Sequence, residues 1–408
     1  MKATILWLLP LLGCVAFLSH NLHAQQGAQF QPRSSRPAPS KQAAQTSEQA
    51  ISQDLLAIYE QTHSATDEAS LTAIARACAK VIPDKTRKSS DRSYASNLFA
   101  WSLNRRGEMR NEQAATLVEQ GNVDQASSLD QQAAKDFETA IQYNDKNWRI
   151  HHNLAISLAM KGDYLRAIKE FSTAIDLNAD YPNSYFNRAE LYFELSQYTQ
   201  ALDDYTQAIV LNEADPQYYN SRGHCRFMLE SYDDALADYV RATELGADSA
   251  VYATDLADAY QFLGRWAEAG TSYRAAVAIN SKYPRAYQNA AWLMATCPDP
   301  KYRNVDLALS AAKKVIELTA ERSPQALDTL AAATAASGQH RDAAKLQQEA
   351  VQLADKNEKG EMAERLQLYQ HGQAYLQPSA TAASAIASQT SNIGSRIRMA
   401  SGSSRAER

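Results

Sequence analysis

Glycine and proline are scarce in this chain, 14 and 12 of 408 residues, and 45% of the residues are apolar. A fibrous repeat and a wholly disordered polymer are both excluded. Cysteine is rarer still. Behind an N-terminal apolar run that holds Cys14, only Cys78, Cys225 and Cys297 remain. An odd number so widely spaced is no disulfide framework. Burial as small apolar residues is the expectation, with one bridge or one free thiol left open. A phosphate-binding loop, a dinucleotide glycine fingerprint, a His-Glu-x-x-His zinc motif and a Gly-x-Ser-x-Gly elbow are all missing. The apolar run itself, Ile5 to Leu18, falls short of the roughly 20 residues that span a bilayer.

What is present begins with Lys2 ahead of that run and polar Ser19, His20 and Asn21 after it, the layout of a cleaved export signal. Residues 1–24 are read as a signal peptide cut after Ala24, with Leu22 at the minus-three position. Two alternatives stay open: Leu11-Leu12-Gly13-Cys14 as a lipoprotein box that leaves an acylated cysteine, and an uncleaved anchor. The expected location is periplasmic or extracellular, with the lipid- or signal-anchored form as the alternative. Residues 25–47, rich in Gln, Pro, Ser and Ala, hold too few large apolar groups to offset chain entropy, and 378–408 have the same character. Both are expected to be disordered. The chain carries a formal charge of −5; both tails are basic, so the body between them is more acidic than the whole. An acidic body argues against a nucleic-acid binder.

Between the tails the sequence repeats. Ala167, Ala201, Ala235 and Ala269 recur every 34 residues, and Ala174, Ala208, Ala242 and Ala276 keep the same spacing. Phe171, Tyr205, Tyr239 and Tyr273 form a third column, Tyr164, Tyr198, Tyr232 and Trp266 a fourth, and Leu177, Leu211, Leu245 and Ile279 a fifth. Each repeat reads as two helices: Tyr185, Ala189 and Tyr192 share a face of one, Ala201, Tyr205 and Ala208 a face of the next. Small residues at the eighth position (Ala155, Ala189, Gly223, Ala257, Ala291, Ala331) admit close helix crossings. Gly162, Gly264 and Gly338 suit the turn between helices, and Pro182, Pro216, Pro284 and Pro324 open first helices. A hairpin of this kind cannot bury its apolar stripe alone and must stack on its neighbour.

These columns resemble those of the tetratricopeptide repeat family, closely over residues 148–283, which hold four regular repeats. The resemblance implies an all-α, right-handed superhelical solenoid and says almost nothing of function. Residues 284–357 continue as two further repeats, the first enlarged by Thr296 to Asn304. The run AWLMATCPDPKYRN followed by LDTLAAATAASGQ looks like the C-terminal module of secreted bacterial proteins of this family. Residues 358–377 read as a capping helix, from Glu361 to about Leu376. Residues 90–147 read as a divergent repeat with two lengthened helices, the first from about Ser93, meeting near Gly121-Asn122. A further helical hairpin is expected over 48–89.

Repeats leave no room for a catalytic domain. His151 and His152 are neighbours that point about 100° apart on a helix, so they do not converge on one metal. Glu190 and Glu194, four apart, form an acid pair on an open surface with no enclosed pocket to tune them. Cys297 has no histidine nearby to stabilise a thiolate. No cofactor, metal or catalytic residue is expected, and the chain reads as a non-enzyme.

In the family the inner wall is lined by positions 2, 5, 9, 12 and 13 of each first helix. Carried over, this wall includes His152, Asn183, Phe186, Glu190, Phe193, Glu194, Asn220, His224, Phe227, Asp258, Phe262 and Trp292. The aromatic groups would anchor, and Glu190, Glu194 and Asp258 would steer, a protein or peptide segment with apolar side chains and some Lys or Arg. The competing expectation is that the position-12 aromatics pack between adjacent first helices. The family's clamp for acidic chain ends is missing, with Ile156, Asn187 and Gln217 at its positions. The leading reading is an exported scaffold or adaptor. A membrane-tethered assembly factor for an envelope complex and an enzyme acting through exposed carboxylates are the alternatives.

Overall fold

The computed structural model describes residues 51–319 and 322–378. The expected signal peptide, the tether over 25–47 and nearly all of the C-terminal tail lie outside the described residues. Among the described residues there are seventeen α-helices and one short 3-10 turn, with no strand. The fold is all-α and divides into two compact blocks between Ala214 and Asp215, each built of helical hairpins stacked in sequence order.

The first block holds α1 (Gln53–Thr62), α2 (Glu68–Val81), α3 (Ser89–Glu119), α4 (Val123–Tyr143), α5 (Trp148–Met160), α6 (Tyr164–Leu177), α7 (Pro182–Glu194) and α8 (Tyr198–Leu211). Helix α3 starts four residues before the expected Ser93 and runs for 31 residues. Its end is set by Gly121, which takes φ +80°. The lengthened pair α3 and α4 packs through Gly107, where an added Cβ would stand 2.6 Å from the Phe137 ring. Phe137 therefore heads the aromatic column that continues through Phe171 and Tyr205, all three fully buried.

The second block holds α9 (Pro216–Met228), α10 (Tyr232–Leu245), α11 (Ala250–Phe262), α12 (Trp266–Ile279), α13 (Pro284–Thr296), a 3-10 turn (Pro300–Tyr302), α14 (Val305–Thr319), α15 (Pro324–Ala336), α16 (His340–Leu353) and α17 (Lys359–Gln370). The eight repeat alanines, 167 to 269 and 174 to 276, are fully buried across the two blocks. Gly223 lets Tyr239 lie against its backbone, since a Cβ there would meet the ring at 2.9 Å.

The turns inside the hairpins hold a second regularity. Gly162, Gly264 and Gly338 take φ of 79°, 70° and 82°, and the same register position is Ser196 at 57° and Glu230 at 62°. Two L-residues thus occupy a left-handed conformation that favours glycine.

In the inserted loop, Asp299 caps the 3-10 turn through the Lys301 amide, and the Asn304 amide bonds back to the Met294 carbonyl at 3.0 Å. Cys297 packs with Ala257, Ala269, Tyr273 and Leu293, with Tyr302 against the cluster. Burial raises its thiol above the usual range, so it is held as an apolar filler. Cys78 and Cys225 are also buried and unbridged.

Helix α17 differs from its expectation. It stops at Gln370, six residues short of Leu376, because Gly372 at φ +72° turns the chain, and the Gln373 amide closes on the Leu368 carbonyl at 2.9 Å. Its buried face is Met362, Arg365 and Tyr369, so a cation rather than a leucine stripe holds it. Arg365 donates to both carboxylate oxygens of Asp328, at 2.9 and 3.0 Å. Gln347 donates to the same carboxylate at 2.7 Å.

Candidate ligand-binding wall

The first helices carry cations that reach an acid on the following helix. In the first block Arg188 of α7 grips Asp204 of α8 with two hydrogen bonds of 2.7 and 2.8 Å. Arg106 of α3 does the same to Asp136 of α4 at 2.8 and 2.6 Å. Between them His151 stands 2.7 Å from Glu170, and its other ring nitrogen 3.0 Å from the Asp145 carbonyl. Both partners are acceptors, so this setting favours the imidazolium form. Burial works against that charge, but these acceptors outweigh it and raise the pKa. In the second block Arg222 grips Asp238 at 2.9 and 2.7 Å, and Arg226 adds a third bond at 2.7 Å.

Asp136, Glu170, Asp204 and Asp238 are 34 residues apart. This acidic column sits in the sequence beside the alanine columns, and reasoning that sought carboxylates as catalysts missed it. Its role is structural: each acid is neutralised across its hairpin.

His152, by contrast, is buried among Trp148, Phe171 and Tyr181. Its Nδ1 lies 2.9 Å from the Ser184 hydroxyl, and burial pulls its pKa down to about 3. It is a neutral interior residue, buried rather than open on the wall. The two histidines thus face different partners. Phe186 is also fully buried, against Tyr205. What α7 leaves half-buried on its wall is Asn183, Glu190, Phe193 and Glu194. Phe193 stands edge-on to Tyr198 at 5.3 Å, and Glu190 accepts a 2.6 Å bond from the Tyr205 hydroxyl.

In the second block several expected wall residues turn inward. Asp258 is buried, and it accepts from the Tyr273 hydroxyl at 2.6 Å and from Asn289 at 2.7 Å. Arg285 bridges it to Asp255, 2.8 Å away. Asp255 in turn accepts from Asn220 at 2.9 Å and faces His224 at 3.4 Å. Burial would raise both acids. At Asp255 the combined pull of Arg285, His224 and Asn220 wins and holds it below the usual range; at Asp258 burial wins. Asp258 is therefore no steering charge, since its carboxylate is already satisfied inside the stack. Asn220 is buried in the same network. Phe227 is buried and stacks edge-on with Phe262 at 4.8 Å, which is the packing role between adjacent first helices. His224, Phe262 and Trp292 remain half-buried.

Trp292 has a partner that sequence reasoning placed on a helix. Past Gly372 the chain leaves the helix, and Tyr375 packs against Trp292 with ring centres 5.7 Å apart and the rings tilted by 42°. The Arg365 guanidinium lies 5.3 Å from the Trp292 ring and 5.5 Å from the Tyr375 ring.

Residues 182–215 match the family model for the tetratricopeptide repeat, and residues 157–196 match a further model of the TPR repeat. None of the curated proteins matches the chain significantly in sequence. Among solved structures, the chain is similar to YrrB, described as a TPR protein with an unusual peptide-binding site, at 22% identity. That match covers 48% of this chain and 97% of the other, with a TM-score of 0.39. A tetratricopeptide repeat protein from Parabacteroides merdae is similar at 19% identity, covering 65% and 98% of the two chains with a TM-score of 0.47. Yeast Tom70 is similar at 18% identity over 74% and 59%, with a TM-score of 0.43.

Proposed function

We propose that this chain, which carries tetratricopeptide repeats, is a non-enzymatic scaffold or adaptor that holds segments of other proteins against the walls of its first helices. The observation that carries the reading is the half-buried set on α7. Asn183, Glu190, Phe193 and Glu194 stand along one face of a rigid helix, mixing an aromatic anchor with carboxylates. A segment with apolar side chains and some Lys or Arg complements such a face. The chemistry of the buried acids supports a non-catalytic role. Asp204, Asp238, Asp258 and Asp328 are each buried and bound by an arginine, which suits them to holding the hairpins together rather than to meeting a substrate.

Export is part of the proposal and rests on sequence: the flanked apolar run at Ile5 to Leu18, and the likeness of residues 291–304 to a module of secreted proteins. Tethering to a membrane is the alternative, and the distribution of the mature protein between soluble and membrane fractions decides between them. No nucleic acid is proposed as a partner, given the acidic body.

The binding reading is tested by panning a displayed random peptide library on the full chain. Enriched peptides should carry apolar and basic residues, and their affinity should fall at least fivefold on the variant Phe193→Ala/Glu194→Gln with helicity unchanged. Peptides that bind parent and variant alike would place the site off this wall.

A further inference from the structure

The last described residues behave as a bound peptide. After Gly372 turns the chain out of α17, residues 373–378 have no helical or strand pairing of their own. They return across first helices of the second block, far from their neighbours in sequence. Tyr375 lies on Trp292 of α13. Two residues on, the Gln377 amide donates to the Thr296 carbonyl at the end of α13 at 2.9 Å. The Gln377 side-chain carbonyl accepts from Gln261 of α11 at 3.2 Å, across 116 residues of sequence. Gln377 is buried while Leu376 and Pro378 on either side are exposed. This alternation is that of an extended strand presenting every second side chain to one surface. Gln261 is the twelfth residue of α11 and Trp292 the ninth of α13, both at positions expected to line a ligand wall.

We infer that residues 373–378 are a built-in occupant of that wall, and that the surface beneath them takes extended protein segments with an aromatic side chain and, two residues on, a carboxamide. The aromatic ring sits on Trp292 and under the Arg365 cation. The carboxamide answers Gln261, and the main-chain N–H answers the Thr296 carbonyl at the C-terminal end of α13. The chain's own segment competes with such partners and keeps the wall closed until one displaces it. This deepens the binding function proposed above and rests on it, but it concerns a different wall from that of α7.

The competition has a magnitude. A segment joined by so short a linker has an effective concentration on the order of millimolar. A free peptide of intrinsic Kd about 0.1 mM therefore meets a site about ten-elevenths filled, and removing the occupant should tighten its apparent affinity about tenfold.

The test measures fluorescence anisotropy of a labelled peptide, GQAYLQP, with the full chain and with the full-chain variant Tyr375→Ala/Gln377→Pro, which lacks the ring, the side-chain amide and the N–H donor. Binding about tenfold tighter to the variant than to the parent is expected, and it should vanish when the peptide's tyrosine is replaced by alanine. Equal binding to both proteins, or binding to neither with a lowered melting temperature as the sole change, would overturn the inference and make the segment a structural strap. Gln377→Pro alone keeps the Tyr375 stack and with it the fold of α17; it should give an intermediate gain of a few-fold, and no gain counts against the proposal. The α7 variant Phe193→Ala/Glu194→Gln should leave this peptide's binding unchanged, so loss of library binding at α7 and loss of this site are separate results.

Discussion

Replacing Glu230 by glycine should make the second block more stable, although it deletes a whole side chain. Glu230 is exposed and holds φ +62° in the turn between α9 and α10, where Gly162, Gly264 and Gly338 stand in other repeats. An L-residue in that conformation is disfavoured by about 1–2 kcal/mol. Glycine removes that strain but has more freedom to lose on folding, about 0.5–1 kcal/mol. The Glu230 amide bonds to the Phe227 carbonyl at 3.0 Å, and glycine keeps this bond. The balance is a gain of about 0.5–1 kcal/mol. Urea unfolding followed by circular dichroism reads it as a raised midpoint at unchanged slope. Ala237→Gly, at an exposed position inside α10, is the control and should lose about 1 kcal/mol. If Glu230→Gly is as destabilising as Ala237→Gly, the left-handed turn is not the determinant, and the reasoning from φ fails.

Ala201→Trp should be far more damaging than Val210→Trp, by roughly 1–3 kcal/mol or more, because Ala201 is fully buried and Val210 is 72% exposed; equal melting temperatures would contradict the helix register. Asp328→Ala should cost about 3–5 kcal/mol by removing the carboxylate that holds buried Arg365 with two hydrogen bonds, and adding Arg365→Met should restore much of that loss in a double-mutant cycle. For His152 the folded pKa of about 3 lies below the usual 6.5. The unfolded chain therefore takes up the proton first, and the contribution of neutral His152 is complete above pH 6.5 and lost as pH falls toward 3. His152→Gln should flatten the fall in stability between pH 6.5 and 5, by up to about 1.4 kcal/mol per pH unit; parallel pH profiles for parent and variant would refute this.

Much of the fold was legible in the residues because a 34-residue period is a local signal copied along the chain. A small residue at each crossing, an aromatic after it and a turn residue between helices state one hairpin, and stacking the copies is the only way to bury the stripe. Ala201, Tyr205 and Gly223 stand where that pattern puts them. Position within a repeat does not say which side chains a neighbouring helix will cover. Phe186 and Phe193 belong to the same predicted wall, yet one is buried against Tyr205 and the other stays half-open. Asp258 reads as a surface charge until Arg285, 27 residues away, folds onto it.

The acidic column from Asp136 to Asp238 was visible as spacing, but its meaning depends on the cations of the preceding helix, which keep the repeat period only at Arg188 and Arg222, each 16 residues before its acid, and not at Arg106 or His151. The least legible feature is the return of residues 373–378. Tyr375 fits a helical pattern in sequence, but Gly372 ends that helix locally at φ +72°, and only the tertiary structure shows that the chain beyond it meets Trp292, Thr296 and Gln261. The sequence by itself determined the helices, their pairing and their order, since those follow from short-range periodicity. Only the tertiary structure decided which polar groups were neutralised inside the stack and which wall the chain closes with its own end, because both depend on groups brought together across tens to more than a hundred residues.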